Sequence, residues 1–218
     1  MNRFNLKKYK NILFDLDGTL VDTGEGIINS VYYCIKEKGL REVSLNEAKL
    51  FIGPPLIESF MNVFNMDLET AVDCAKVFRI YYSKKGKYEC ALYPGVRDIL
   101  KELKENGFSL YVATSKPTIF AKEIMIHFDL VSLFEDIAGS NIDNSLSKKD
   151  EIINYLINNH ALDKKETIMI GDKANDVVGA RKAGIDSIGV LYGYGSFDEI
   201  YTVNPQTTIK RIADLINL

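Results

Sequence analysis

From Pro94-Gly95 onward the sequence alternates between short apolar runs of strand length and stretches with helical spacing. That alternation is what most narrows the fold. Val96, Ile99, Leu100 and Leu103 recur at i, i+3, i+4 and i+7, which predicts a helix ended by Gly107. Phe108 to Ala113 follows as a strand closed by Thr114-Ser115-Lys116-Pro117, and a helix then runs to His127. A weaker strand covers Phe134 to Ala138. The next helix spans Asp150 to Asn159, with Ile152, Ile153, Leu156 and Ile157 apolar. Thr167 to Ile170 is a strand ending in Gly171-Asp172, Ala174 to Ala183 a helix, and Ser187 to Leu191 the last core strand. Near the start, Asn11 to Leu16 is a short apolar run ending in acids, which suits a buried parallel strand. Strands and helices in this rhythm predict a doubly wound parallel sheet, Rossmann-like, with helices on both faces.

Between the first strand and Pro94 the pattern is helical. Ile28, Val31, Tyr32 and Ile35 share one helical face, and Leu68, Ala71, Val72, Ala75, Phe78 and Tyr82 another. Gly53-Pro54-Pro55 interrupts this stretch as a turn or helix start. The predicted organisation is therefore an α/β core, residues 1–21 and 89–218, interrupted by a small inserted helical domain, residues 22–88. Gly24 and Gly26 on one side and Lys84 to Lys87 on the other read as linkers. With 218 residues and 46% hydrophobic content, the chain can bury a core of that size.

In open parallel sheets, ligands bind beyond the carboxyl ends of the strands. Sorted by that rule, the polar residues converge. Asp15 and Asp17 end the first strand, Thr114 and Ser115 the second, Lys148 and Lys149 follow the third, Asp172 ends the fourth, and Asp176 lies one turn into the next helix. Phosphoryl transfer needs these types: a nucleophile, a proton donor for the leaving oxygen, and positive charge around the phosphoryl oxygens. The clustered acids also repel one another. Two carboxylates about 4 Å apart cost on the order of 4 kcal/mol at an effective dielectric of about 20. A bound dication removes that cost, and an all-oxygen ligand set favours Mg²⁺ over zinc or copper. Each piece also has a plainer reading: Asp172 as a helix cap, Thr114 as a strand-end hydroxyl, one lysine as surface. The string Asp15-x-Asp17-Gly18-Thr19 is more specific, expected by chance in roughly a few chains per thousand of this length.

Phe14-Asp15-Leu16-Asp17-Gly18-Thr19-Leu20-Val21-Asp22 resembles the first motif of the haloacid dehalogenase-like hydrolase superfamily. Thr114 resembles the second motif, Lys149 or Lys148 the third, and Gly171-Asp172 with Asp176 the fourth. A helical cap inserted just after the first motif is similar to the phosphoglycolate phosphatase-like branch. The resemblance implies that Asp15 attacks phosphorus. It implies that Asp17, protonated when the leaving group departs, gives that proton to the alcohol and then activates water. Thr114, with Ser115 and the neighbouring backbone N–H groups, would hold phosphoryl oxygens. Lys149, chosen over Lys148 from its spacing before Ile152-Ile153 and the similarity of Gly139-Ser140-Asn141-Ile142-Asp143 to one subgroup, would neutralise charge. Mg²⁺ would be held by Asp15, the backbone carbonyl of Asp17 and Asp172, with Asp176 beside them. Here the Lys-Pro pair common in the third motif is missing, and Lys173-Ala174-Asn175 fills a slot often taken by smaller polar residues.

These features predict a Mg²⁺-dependent phosphatase acting on a small phosphorylated metabolite such as phosphoglycolate, a nucleoside monophosphate or a sugar phosphate. A sugar-phosphate mutase on the same core is the nearest alternative. A phospho-accepting receiver domain is a different class, but such domains are about half this length and lack the insert. A dehalogenase has no use for Asp17. The net charge of −3 gives no electrostatic footprint for a nucleic acid polymer. Cys34, Cys74 and Cys90 lack CxxC spacing and read as reduced thiols. The basic start, Met1 to Lys10, is followed only by Ile12-Leu13-Phe14 before an acid, too short for a signal-peptide core or a membrane span. A cytoplasmic location is the expectation, and oligomeric state is not legible.

Within the insert, Gly53-Pro54-Pro55 reads either as a rigid loop that binds substrate through Gly53 or as a plain turn. Tyr192-Gly193-Tyr194-Gly195 reads either as lining the mouth of the site or as a Gly-rich turn, and neither it nor Gly24-Glu25-Gly26 completes a dinucleotide fingerprint. His127 and His160 read as structural, and the pairs Tyr32-Tyr33 and Tyr81-Tyr82 as packing of the insert.

Overall fold

The protein is described by a computed structural model covering residues 4–142 and 145–218. Asp143, the last residue of the segment compared above with one subgroup, lies outside the described residues, as do Met1 to Arg3 of the basic start. The chain divides into two compact units, Met1–Val21 with Leu92–Leu218, and Asp22–Ala91.

The first strand, β1 (Asn11–Phe14), is followed by β2 (Val21–Asp22). The helical unit then comprises α1 (Gly24–Lys38), α2 (Leu45–Lys49), α3 (Leu56–Phe64) and α4 (Leu68–Lys84), and β3 (Ala91–Leu92) pairs with β2 as a separate two-stranded sheet. The predicted linkers Gly24 and Gly26 instead lie in the first turn of α1, buried, with Gly26 N–H donating to the Glu89 carbonyl at 3.1 Å. The buried stripe of α1 is also rotated from the predicted one. Ile27, Ser30, Val31, Cys34 and Ile35 are buried, whereas Tyr32 is exposed. Two adjacent stripes of α1 carry enough apolar residues to serve, and packing on α4 through Ala71, Cys74, Ala75 and Phe78 selects one. Aromatic edges fill the rest: Phe51 against Phe60 at 4.8 Å between ring centroids, and Tyr33 against Tyr81 at 5.5 Å.

The other unit continues with α5 (Val96–Glu105), β4 (Ser109–Pro117), α6 (Thr118–His127), β5 (Asp136–Ser140), α7 (Lys149–Asn159), β6 (Thr167–Gly171), α8 (Ala174–Ala183), β7 (Asp186–Val190), α9 (Phe197–Val203) and β8 (Thr207–Ile209). Six strands form one parallel sheet in the order β5-β4-β1-β6-β7-β8. It is an α/β fold of the doubly wound kind. The last strand is β8 rather than β7. Its three residues, Thr207, Thr208 and Ile209, bury only the last, so hydrophobic patterning does not reveal it.

Alternation along the strands divides the core. Leu13, Tyr111 and Met169 face α7 and α8, packing with Ile152, Ile153, Leu156 and Ala180. Ile12, Phe14, Leu110, Val112, Ile168 and Ile170 are buried on the opposite face. Strand β1 is central, and the chain leaves it toward β4 but leaves its other neighbour, β6, toward β7. The crevice beyond β1 and β6 is therefore the switch point at which ligands bind in such sheets. Among the described residues, no helix is long and apolar enough to cross a membrane.

Candidate active site

The loop after β1 is built to hold two acids still. Asp15 N–H continues the ladder, donating to Ile170 O at 2.8 Å. Leu20 and Val21 N–H both donate to Leu16 O at 3.0 Å, and Gly18 N–H donates to Val21 O at 2.9 Å. Gly18 sits at φ +82°, a left-handed turn that a side chain would strain. Asp15 and Asp17 are both buried, at 6% and 8% exposure.

Three other segments reach the same place. Lys149 opens α7 and is buried. Its Nζ donates to Asp15 Oδ1 at 2.8 Å and to the Ala113 carbonyl at 2.9 Å, and it lies 2.8 Å from Asp176 Oδ1. Lys148, one residue earlier, is exposed and lies 3.9 Å from Glu151. Asp172, beyond β6, is wholly buried. Its Oδ2 accepts from Tyr194 N–H at 2.7 Å and its Oδ1 from the Thr19 hydroxyl at 3.4 Å. Asp176, in the first turn of α8, accepts from Lys173 N–H at 3.0 Å through Oδ2, while its buried Oδ1 faces the Lys149 ammonium. One carboxylate oxygen from each of Asp15, Asp172 and Asp176 lies within 4.8 Å of the others.

The electrostatics follow from that crowding. Burial would push the Lys149 ammonium down, but the carboxylates of Asp15 and Asp176 outweigh it and hold the group above the ordinary lysine range. Burial pushes the Asp172 carboxyl well up, and repulsion from Asp176 and Asp15 adds to it. Burial raises Asp176 too, against the pull of Lys149. Three buried acids share one lysine, so the cluster is short of positive charge. Three buried carboxylates, all hard oxygen donors, with a single ammonium among them fit a small divalent cation.

The end of β4 frames the other side. The strand runs on through Thr114 and Ser115 to Pro117 with a register shift after Ala113, where the sequence predicted its close. Thr114 is buried, and its Oγ1 accepts from Lys116 N–H at 3.3 Å. The Ser115 carbonyl accepts from the Ser140 hydroxyl at 2.9 Å. Lys116 was not among the sequence candidates. It is buried, with Nζ 3.0 Å from Asp17 Oδ2. The strand-end rule that selected Thr114 and Ser115 applies equally to their neighbour, so the signal was present. Asp17 thus turns its carboxylate to Lys116, outside the Asp15–Asp172–Asp176 cluster. Gly53 belongs to the helical unit, between α2 and α3 at φ +103°.

A parallel sheet whose switch point gathers three carboxylates and a buried lysine defines a class of α/β enzyme, and the comparisons with known proteins say which. A family model described as haloacid dehalogenase-like hydrolase matches residues 12–190. The chain is 40% identical over 198 residues to a 5′-nucleotidase of Pseudomonas aeruginosa, covering 91% of this chain and 90% of that protein. It is 28% identical over 217 residues to a phosphoglycolate phosphatase of Vibrio parahaemolyticus, covering 96% and 95%. The crystal structure of a predicted phosphatase from Clostridium acetobutylicum matches with a TM-score of 0.92 at 41% identity, covering 96% of this chain and 97% of that one. The chain belongs to the haloacid dehalogenase-like hydrolase family, on its phosphoglycolate phosphatase-like branch. It is a hydrolase of phosphate esters.

Proposed function

We propose that this enzyme is a Mg²⁺-dependent phosphatase of small phosphate monoesters that works through an aspartyl-phosphate on Asp15. The observation that carries this is Asp15 itself: one carboxylate, held by Lys149 at 2.8 Å, that also belongs to a three-acid cluster. Asp15 attacks phosphorus, the ester P–O bond breaks, and Asp17 gives its proton to the departing alcohol. Water then attacks the aspartyl-phosphate, Asp17 takes a proton from it, and inorganic phosphate leaves. Thr114, Ser115 and Lys149 hold the phosphoryl oxygens. Lys116 adds a second positive charge on the Asp17 side, and an incoming dianion offers its ammonium a partner besides Asp17. Mg²⁺ would be held by Asp15, Asp172 and the carbonyl of Asp17, with Asp176 beside them. When bound it would supply charge neutralisation for the transferring phosphoryl group.

Phosphoglycolate, nucleoside monophosphates and sugar phosphates are the substrate classes in view. The higher identity to the 5′-nucleotidase, 40% against 28% for the phosphoglycolate phosphatase, puts a nucleoside monophosphate first. In this scheme residues 22–88 form a cap on a core of residues 1–21 and 89–218, and Gly53 is a substrate-binding position. The cysteine thiols fit a cytoplasmic location. The test is phosphate release from a panel of these esters, with Mg²⁺ and with EDTA. Release is expected only with Mg²⁺, and Asp15→Asn should abolish it. Failure to release phosphate from any ester in Mg²⁺ would sink the proposal.

A further inference from the structure

The segment after β7, Tyr192-Gly193-Tyr194-Gly195, does not behave as a plain glycine turn. Tyr194 N–H donates to Asp172 Oδ2 at 2.7 Å. A Cβ added at Gly193 would overlap Asp172 Cβ and the Gly18 carbonyl oxygen, and one added at Gly195 would overlap the Asp172 carbonyl oxygen. Glycine is therefore required at both positions for close approach, rather than for a left-handed turn. The Tyr192 hydroxyl donates to the Thr19 carbonyl at 2.9 Å, and its ring packs on Tyr93 at 5.0 Å between centroids. Thr19 in turn contacts Asp172 Oδ1 through its own hydroxyl. The segment thus grips the loop after β1 and the acid after β6 together.

We infer that Tyr192–Gly195 is a positioning clamp that fixes the Asp172 carboxylate, and with it the spacing of Asp15 and Asp172, for the divalent cation. This rests on the metal-centre reading above. The physical reason is rotamer freedom. An aspartate on a loop can swing its carboxylate away from two repelling neighbours, and here the Tyr194 N–H and the surface of Gly193 deny it that freedom, while Gly195 seats against the Asp172 backbone carbonyl. Tyr192 and Gly193 act through Asp172 and are positioning residues.

The test uses the full chain without substrate, measuring Mg²⁺ binding by isothermal titration calorimetry alongside thermal unfolding in EDTA. Gly193→Ala pushes a methyl group against Asp172 and should weaken Mg²⁺ binding by about tenfold or more. Tyr192→Phe removes only the bond to Thr19 and should weaken it by roughly two- to tenfold, the net weight of one hydrogen bond. In steady state, the Mg²⁺ concentration for half-maximal rate should rise by the same factor, while KM for the ester at saturating Mg²⁺ stays within about twofold. Leu103→Ala, in the core of α5, serves as a destabilised control whose Mg²⁺ affinity should not change. A folded Gly193→Ala protein that binds Mg²⁺ within about twofold of the parent overturns the clamp, as does equal weakening in Leu103→Ala. Should Gly193→Ala not fold, unchanged affinity in Tyr192→Phe overturns it. A parent protein that binds no Mg²⁺ fails the metal reading itself and takes the clamp with it, a result distinct from the others.

Discussion

Replacing Lys149 by methionine should destabilise the metal-free protein, and the size of the effect follows from the geometry. The ammonium lies 2.8 Å from Asp15 Oδ1 and 2.8 Å from Asp176 Oδ1, with all three side chains buried. At an effective dielectric of about 20, each contact is worth about 6 kcal/mol of Coulomb attraction. Desolvation of the ammonium offsets several kcal/mol of that, and removing one partner of a buried pair leaves a net loss of about 3–5 kcal/mol. For a chain of this length, about 2–4 °C per kcal/mol translates that into a Tm lower by roughly 6–20 °C. Circular dichroism melts in EDTA measure it. The double variant Lys149→Met with Asp176→Asn should melt above the single one, because a repelling charge has gone as well. Mg²⁺ should raise the Tm of Lys149→Met more than that of the parent, since the dication then neutralises acids that have lost their ammonium. A single variant melting within about 2 °C of the parent in EDTA, or a double variant melting below the single, would refute the electrostatic account.

Two other outcomes are expected. At pH 9, where the Asp172 carboxyl, pushed up to about 8 by burial and by Asp176 and Asp15, is ionised, Asp172→Asn should raise the Tm of the metal-free protein by roughly 3–6 °C, because it removes a charge whose oxygen lies within 4.8 Å of two others, a repulsion of at least about 3.5 kcal/mol per charged pair before Lys149 and solvent reduce it; at pH 6, where the carboxyl is protonated, the gain should vanish. The substitution should also abolish the Mg²⁺-induced shift, and a lower metal-free Tm at pH 9 would count against the repulsion. In the native protein, Ellman's reagent should modify Cys90 first, since it is half-buried. Cys34 and Cys74 are buried, with the Cys34 thiol pushed up to about 12 by burial and by Cys74 beside it. All three thiols should react after denaturation, and fast native modification of more than one would contradict the packing of the helical unit.

The legible part of this protein was its local chemistry. Strand–helix alternation after Pro94 and the apolar run ending at Asp15 depend on neighbours in sequence, so the parallel α/β fold could be read directly. The strand-end rule is equally local, and it brought forward Asp15, Asp17, Thr114, Asp172 and Asp176 without any knowledge of strand order. What it did not supply was side-chain direction across long separations. Lys148 and Lys149 are adjacent and alike, and only the seating of α7 on the sheet turns one toward Asp15, 134 residues away in sequence, and leaves the other in solvent. Lys116 stands at the same strand end as Thr114 and Ser115, but its pairing with Asp17, on another strand's loop, is a tertiary contact. On α1 the sequence offered two apolar stripes, and contact with α4 chose between them. The glycines at 193 and 195 read either as lining the mouth of the site or as a turn, and only the tertiary fold reveals that their missing side chains leave room for Asp172. Covalent neighbours thus determined which elements form and which chemical groups stand at their ends. Packing between distant segments decided which of those groups touch, because burial and charge are properties of what the folded chain brings together.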